Sequence, residues 1–325
     1  MLDSDRCCRK ALSRVWAYLA ESSEAPVAGL EPDTDTSIYC KARQHLSEAV
    51  LKRLYRTVGD QLEADVEESR RWYGRRVHLV DGSTVSMPDT PANQAAFPQH
   101  PNQAPGCGFP LAKIVVVFSL FTGAVRDVAI DVWSAFEPLL FRQLHALLQP
   151  GDVVVGDRIY CIYADLCLLL QRQVDSVFRH HGSRTVNLRQ GLRLGKEDRL
   201  QVWEKPTQCP QGMAANTYPS LPPTLQVRIL RFHCPHKGFR SQHVTVVTTL
   251  VDPRTYPKEA IARLYGIRWE AEIDLRHLKS SMDMDVLRTQ SPDMIRKELA
   301  IYFLAYNLIR ALMAQAGQRH GVDPL

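Results

Sequence analysis

The sequence predicts an α/β protein built around one mixed β-sheet. Three apolar segments with strand character follow one another directly, and helical and strand-like segments alternate after them. The valine run in DVVVGD has the continuous apolar character of a strand that is buried on both faces. A three-strand meander followed by alternating helices and strands is the succession expected of a mixed sheet.

A helical region is predicted over residues 1–74. Apolar residues recur at helical spacing in ALSRVWAYLA and in LSEAVLKRLYRTVGDQLEADV, and a link rich in Pro, Gly and Asp separates these segments. The rest of the chain is predicted to form the first part of a core (75–180), a β-rich insertion (181–250) and the second part of the core (251–318).

The first part of the core alternates strands and helices. In RRVHLVDGSTVSM a short strand is expected to end at Asp81 and Gly82, and a proline-rich loop follows over 88–110. AKIVVVFSLF and AVRDVAIDV predict a hairpin that turns at Thr122-Gly123. The later elements are a helix over 137–148, the valine-rich strand, a helix over 164–172 and a strand over 175–178.

The insertion differs from the core in composition. Residues 181–223 are rich in Arg, Gly, Pro and Gln without helical periodicity, and LQVRILRF and HVTVVTTL are typical of strands. Helices are predicted to start at Pro257 and at Ser291-Pro292, because serine is a common N-cap and proline a common first helical residue.

Composition limits the class of protein. The chain has 325 residues, of which 45% are apolar and 23% charged, as in ordinary folded proteins. No apolar run approaches the roughly 20 residues that cross a bilayer, MLDSDRCCRK is not a secretory signal, and the eight cysteines are irregularly spaced. We therefore expect a soluble cytoplasmic protein with reduced thiols and no membrane partner. A net charge of +5 permits nucleic-acid binding without demanding it.

Two aspartates follow predicted core strands. Asp81 ends the first of these strands, and Asp157 ends the valine-rich strand. Sites of open α/β sheets gather at the carboxyl ends of strands, so both acids would face one pocket if their strands are neighbours. Each aspartate taken alone is also explained as a turn residue or a helix cap.

The segment YGIRWEAEIDLRHLK carries a third acid. At about 100° per residue, one narrow helical face contains Tyr265, Arg268, Glu272 and Lys279. Glu270 and Asp274 fall on the opposite side. A structural ladder of salt bridges is the alternative explanation of this face.

Three carboxylates from two strands and a later helix are the ligands that a site for two Mg²⁺ ions requires. Such ions activate a water or a 3′-hydroxyl and stabilise the leaving oxygen in displacement at phosphorus. On this hypothesis Arg268 and Lys279 bind the phosphates beside the scissile bond.

The spacing Tyr265-x2-Arg268-x3-Glu272-x6-Lys279 resembles the Y-R-E-K signature of DDE transposases of the insertion-sequence-four group. The stretches VHLVDGSTVSMPDTPANQAAFPQ, GDVVVGDRIYC and LAYNLIR also resemble that group, and the likeness extends over nearly the whole chain.

This resemblance implies a ribonuclease-H-like catalytic core with an N-terminal helical domain. Asp81, Asp157 and Glu272 would hold two Mg²⁺ ions, with Mn²⁺ as a substitute, and Tyr265, Arg268 and Lys279 would contact DNA. The implied partners are double-stranded DNA with terminal inverted repeats, target DNA and a second copy of the chain in the complex with DNA. The implied location is the cytoplasm, at the nucleoid when DNA is bound.

Two other functions stay open on sequence. The N-terminal helical region looks shorter than in relatives, so an inactive truncated remnant that only binds DNA is one alternative. A ribonuclease-H-like nuclease that hydrolyses without joining is the other. The Tyr-Arg-Glu-Lys face favours transposition, because hydrolysis alone does not need the added cations. The terminal repeat, the target preference and the cleavage route do not follow from the sequence.

Three weaker signals have simpler explanations. His233, Cys234 and His236, with Cys209 upstream, lack the paired spacing of zinc ligands. Trp203 would stack on a base only if it is exposed. The basic segment SRTVNLRQGLRLGK is either a contact for the DNA backbone or a solvated loop.

Overall fold

The computed structural model describes residues 36–321, except 105, 183, 215 and 234–242. The helix predicted in ALSRVWAYLA therefore lies outside the described residues, as do Cys234 and His236 of the histidine and cysteine cluster. In the described part, the α-helices are α1 (Thr36–His45), α2 (Glu48–Ala64), α3 (Pro91–Ala96), α4 (Glu137–Leu144), α5 (Tyr163–Gln171), α6 (Thr217–Ser220), α7 (Lys258–Gly266), α8 (Trp269–Arg276) and α9 (Pro292–His320).

The described strands form one nine-stranded mixed sheet in the order β3-β2-β1-β4-β5-β9-β8-β7-β6. They are β1 (Val77–Ser86), β2 (Leu111–Ser119), β3 (Val125–Val132), β4 (Val153–Gly156), β5 (Asp175–Arg179), β6 (Leu192–Gly195), β7 (Asp198–Glu204), β8 (Thr224–His233) and β9 (His243–Thr248). Pairing of β1 with β4 and of β4 with β5 is parallel, and the other pairs are antiparallel.

This topology confirms the predicted meander, the alternation after it and the proximity of the two aspartate-bearing strands. The insertion is β-rich, as predicted, and β9 pairs with β5, so the strands of the insertion extend the core sheet. The predicted domain boundaries stay predictions.

Helices cover both faces of the sheet, and β1 shows why. Its alternate residues belong to different cores: Leu79 belongs to the cluster that includes residues of α2, α7, α8 and α9, whereas Val80 belongs to the cluster that includes residues of α4 and α5. Successive side chains of a strand point to opposite faces, so a strand covered on both faces is apolar at nearly every position. The site lies where this apolar pattern is interrupted.

The prediction that the first strand ends at Asp81 and Gly82 is wrong. β1 continues to Ser86, because β2 pairs with it as far as the Ser86–Leu111 pair. Its other neighbour, β4, stops at Gly156 opposite Val80. Asp81 is thus the first residue of β1 beyond the end of its parallel partner.

The single helix predicted for YGIRWEAEIDLRHLK is also wrong. α7 ends at Gly266, α8 begins at Trp269, and a π-helical turn covers His277–Ser281. Glycine has low helix propensity, and the backbone N–H of Arg268 bonds to the carbonyl of Tyr265, three residues back. The angles assumed for one regular helix therefore do not hold over this segment.

The last helix, α9, is long and apolar enough by length and composition to cross a membrane. No such segment was predicted from the sequence. One third of the apolar window is buried within the structure. Leu299, Phe303 and Tyr306 of α9 belong to the core that α2 shares, and core helices of this kind pass the same test.

Candidate active site

The candidate site lies beside the end of β4, where β1 continues beyond its parallel partner while still paired with β2. An open cavity of about 300 Å³, here called the Asp81 cavity, is lined by Asp81, Ser83, Glu272, Leu275, Arg276, Lys279 and Ser280. One wall is β1 and the other is α8 with the π-helical turn after it. Two of the three predicted acids thus open into the same cavity.

Asp81 is held in a partly buried position on β1. Burial raises the pKa of its carboxyl to about 6, while the hydrogen bond from the Gly82 N–H to Oδ1 (2.9 Å) and the charge of Arg268 act in the opposite direction. The negative charges of Glu272 and Glu137 raise the pKa further. A carboxylate with this environment is poorly stabilised by the protein alone, which is typical of functional sites.

Asp157 directly follows β4 and precedes the short 3-10 turn Arg158–Tyr160. Burial raises the pKa of Tyr265 to about 12, and the charge of Asp157 adds to that effect. Asp157 also acts on the guanidinium of Arg268: burial alone would lower the pKa of this group, but Tyr265, Glu272 and Asp157 together raise it. Asp157 therefore lies within electrostatic range of the α7–α8 junction, although it does not line the Asp81 cavity.

Glu272 is paired with Arg268. The NH2 group of Arg268 lies 2.7 Å from Oε1 of Glu272, and the arginine side chain is only 8% exposed. The Arg268 guanidinium also lies 5.9 Å from the centroid of the Tyr265 ring. Among the described residues, neither Nε of Arg268 nor the hydroxyl of Tyr265 has a hydrogen-bond acceptor, although both are buried. Buried donors without acceptors are rare and indicate a missing ligand or water.

Lys279 lies on the π-helical turn and reaches the Asp81 cavity. No carboxylate in the described part of the chain pairs with it. A cation without a protein counter-ion, on the wall of a cavity that contains two acids, is suited to a phosphate of a bound ligand.

The six predicted residues are only partly brought together. Asp81, Glu272 and Lys279 line one cavity, whereas Asp157, Arg268 and the fully buried Tyr265 are not among its lining residues. Within the described residues, no three His, Cys, Asp or Glu side chains are close enough to hold a metal ion as they stand. The roles of all six residues therefore remain predictions.

One more acid lies near the three predicted ones and was not singled out from the sequence. It is Glu137, the first residue of α4. Its Oε2 accepts a hydrogen bond from the Tyr160 hydroxyl (3.4 Å), and its Oε1 lies 3.6 Å from Nζ of Lys113. The Glu137 carboxylate lies over Gly82, because a Cβ at that position would clash with its Oε2. An acid in the first turn of a helix is ordinary, so the sequence carries no signal that would have singled it out.

One of the weaker signals, Trp203, is resolved by the structure, and the other two stay predictions. Trp203 is 6% exposed, and the Arg184 guanidinium lies 4.4 Å from its ring centroid, so its face is not open to a base. Arg189 and Arg193 of the basic segment are exposed and, within the described residues, pair with no acid. His233 lies 5.8 Å from His243 between ring centroids, and the described residues contain no group of three metal-ligating side chains, but Cys234 and His236 of this cluster lie outside the described residues.

The fold and site just described occur in a chain that belongs to the family of the transposase DDE domain, whose model matches residues 72–308. The chain is 28% identical over 300 residues to the transposase InsG for insertion sequence element IS4 of Escherichia coli strain K12. That alignment covers 89% of this chain and 64% of the relative, so the chain spans less than two thirds of the relative's length. These matches confirm the predicted family.

A solved structure with similarity to this chain is a piggyBac transposase synaptic complex with hairpin DNA. The identity is 10%, the TM-score is 0.44, and the match covers 77% of this chain and 49% of the other.

Proposed function

We propose that this chain is the catalytic part of a DNA transposase with a ribonuclease-H-like core, which cleaves DNA at the ends of an insertion sequence and joins those ends to target DNA. One observation carries the proposal: an acid from β1 and an acid from α8 line the same cavity as Lys279, which pairs with no acid among the described residues, and a third acid at the end of β4 lies within electrostatic range. Acids and cations of this kind are what phosphoryl transfer on DNA requires.

The residues fit a divalent cation site. Asp81, Asp157 and Glu272 offer only oxygen ligands, which Mg²⁺ prefers. Two Mg²⁺ ions, or Mn²⁺ in their place, would supply the activation of a water or 3′-hydroxyl and the stabilisation of the leaving oxygen. Burial already makes the ionised form of Asp81 costly, and a dication would offset that cost.

Glu272 needs to change partner before it joins the other acids, because Arg268 holds its carboxylate at 2.7 Å. A DNA phosphate offers Arg268 a second anion with similar bidentate geometry. The same phosphate would accept the unused hydrogen bonds of the Tyr265 hydroxyl and Arg268 Nε. DNA binding and the release of Glu272 toward the cation site are therefore coupled in this proposal.

The proposed partners are double-stranded DNA with terminal inverted repeats, target DNA and a second copy of the chain in the complex with DNA. Lys279 binds a phosphate at the cavity, and the exposed Arg189 and Arg193 of the insertion bind the DNA backbone further away. The family membership and the relative's description as a transposase of an insertion sequence support these assignments.

The experiment uses the purified chain, Mg²⁺ and labelled DNA ending in the inverted repeats that flank its gene. Joined products support the proposal, cleavage without joining supports a nuclease, and binding without cleavage supports a non-catalytic remnant. The Asp157→Asn variant should abolish cleavage while DNA binding is retained, and Glu270→Gln, on the exposed side of α8, is the matched control. Cleavage by Asp157→Asn at the native rate would refute the assignment of the site.

A further inference from the structure

The carboxylate of Glu137 is bound far more loosely than the structural acids of this protein. Asp198 lies 2.6 Å from Arg228, Asp165 lies 2.5 Å from Arg142, and both carboxylates are nearly fully buried. Within the described residues, the Glu137 carboxylate contacts the Tyr160 hydroxyl at 3.4 Å and Nζ of Lys113 at 3.6 Å, and its side chain is 22% exposed. A fully buried structural acid requires short charge-assisted bonds, whereas the partly exposed Glu137 has none among the described residues.

Two features of the fold, the start of α4 and the glycine at position 82, set the position of the Glu137 carboxylate. α4 begins at this residue, and its carboxylate lies against Gly82 of β1. Gly82 has no side chain, and the space that a Cβ would fill there is taken by the carboxylate of Glu137. The backbone at Gly82 therefore admits a fourth acid beside Asp81.

Glu137 acts electrostatically on the same groups as the predicted acids. Its charge opposes ionisation of Asp81, and with Asp81 and Asp157 it opposes ionisation of the Tyr160 hydroxyl, whose pKa is raised mainly by burial. The charges of three acids therefore act on the buried Tyr160 hydroxyl, and Glu137 is the one that contacts it. Lys113, on β2, is the cation that faces Glu137 from the neighbouring strand.

We propose that Glu137 is a fourth carboxylate of the cation site, which increases the affinity of the site for a divalent cation, and that Lys113 is its counter-ion when no cation is bound. This inference rests on the proposed function, because it assumes that Asp81 and Asp157 bind a cation. In the loaded site, the loose contacts of Glu137 with Lys113 and Tyr160 give way to the stronger attraction of the dication.

The test is the affinity of the whole chain for Mn²⁺ alone, measured by calorimetry without DNA. Glu137→Gln should weaken Mn²⁺ binding about tenfold, the effect expected of removing one negative charge beside a dication. Lys113→Met should strengthen binding, because it removes a competing positive charge. A folding defect would weaken binding in both variants, so the opposite signs separate the electrostatic effect from a structural one.

Two further variants complete the design. Gly82→Ala displaces the Glu137 carboxylate without changing any charge and should weaken Mn²⁺ binding in the same direction as Glu137→Gln. Glu270→Gln is the control for loss of an acid outside the site. If Asp157→Asn loses Mn²⁺ binding while Glu137→Gln binds within twofold of the native protein, the inference about Glu137 is wrong and the proposed cation site stands. If Asp157→Asn also binds normally, the cation site itself is wrong.

Discussion

Replacing Asp81 by asparagine should make the metal-free protein more stable at neutral and alkaline pH. The pKa of Asp81 is about 6 in the fold, against 3.8 for a free side chain, because burial disfavours the charged form. The folded state therefore binds this proton more tightly than the unfolded chain does. The resulting stabilisation is complete below pH 3.8 and is lost as the pH rises through 6.

At pH 8 the ionised Asp81 carboxylate thus costs the fold up to about 3 kcal/mol, since each pKa unit corresponds to about 1.4 kcal/mol. Asparagine removes the charge and keeps an oxygen for the Gly82 N–H, so we expect a gain of about 1–2 kcal/mol in the free energy of unfolding.

The assay is urea unfolding with EDTA at pH 4 and pH 8, with Glu270→Gln as the control. The gain of Asp81→Asn should appear at pH 8 and be small at pH 4. A variant that is less stable than the native protein at both pH values would refute the reasoning. With Mg²⁺ added, the native protein should gain stability by binding the ion, whereas Asp81→Asn should gain much less.

Three other predictions concern the buried ion pair of Arg228, the buried His145 and the cavity residue Lys279. Arg228→Met should lower the free energy of unfolding in urea by about 3–5 kcal/mol, because it leaves Asp198 buried without its partner at 2.6 Å. The double variant with Asp198→Leu should recover most of this loss, and additive losses in the double variant would contradict the explanation. Burial, with Arg172 and Arg142 nearby, lowers the pKa of His145 to about 4, so the stability of the fold should fall as the pH drops from 6.5 to 4. Thermal unfolding of His145→Gln should depend less on pH than that of the native protein, and an equal pH dependence would show that other groups are responsible. Lys279→Ala should reduce the salt dependence of DNA binding by about one unit of slope in titrations, and Lys279→Arg should keep it; an unchanged slope in Lys279→Ala would place Lys279 away from phosphate.

The order of elements was predictable because it depends on local pattern. The valine run identified β4, the turn at Thr122-Gly123 identified the hairpin, and Ser291-Pro292 marked the start of α9. Proximity of β1 and β4, which the argument for the two aspartates assumed, is confirmed by their parallel pairing.

The length of β1 and the break near Gly266 were not predictable, because both depend on tertiary partners. β1 looks short in sequence, since its apolar pattern weakens after Val80, yet pairing with β2 extends it to Ser86. The helix with Tyr265 and Glu272 has clear periodicity, but the chain breaks it into two helices and a π-helical turn.

The candidate site likewise contains residues that were predictable from the sequence and one that was not. Asp81, Glu272 and Lys279 carried signals of spacing, and the structure brings them to one cavity. Glu137 carried no signal, because its importance comes only from the close approach of α4 to Gly82. Contacts between elements distant in sequence are not contained in local periodicity.

The uninterrupted sheet has a mechanical consequence for the insertion. Backbone hydrogen bonds run from β3 to β6 without a gap, and Arg228 of β8 also donates to the carbonyl of Tyr256, just before α7. A flap joined by flexible linkers swings independently of the body, whereas these strands share one framework with it. If Arg189 and Arg193 bind a DNA duplex, the shared sheet would therefore hold that duplex at a fixed distance from Asp81.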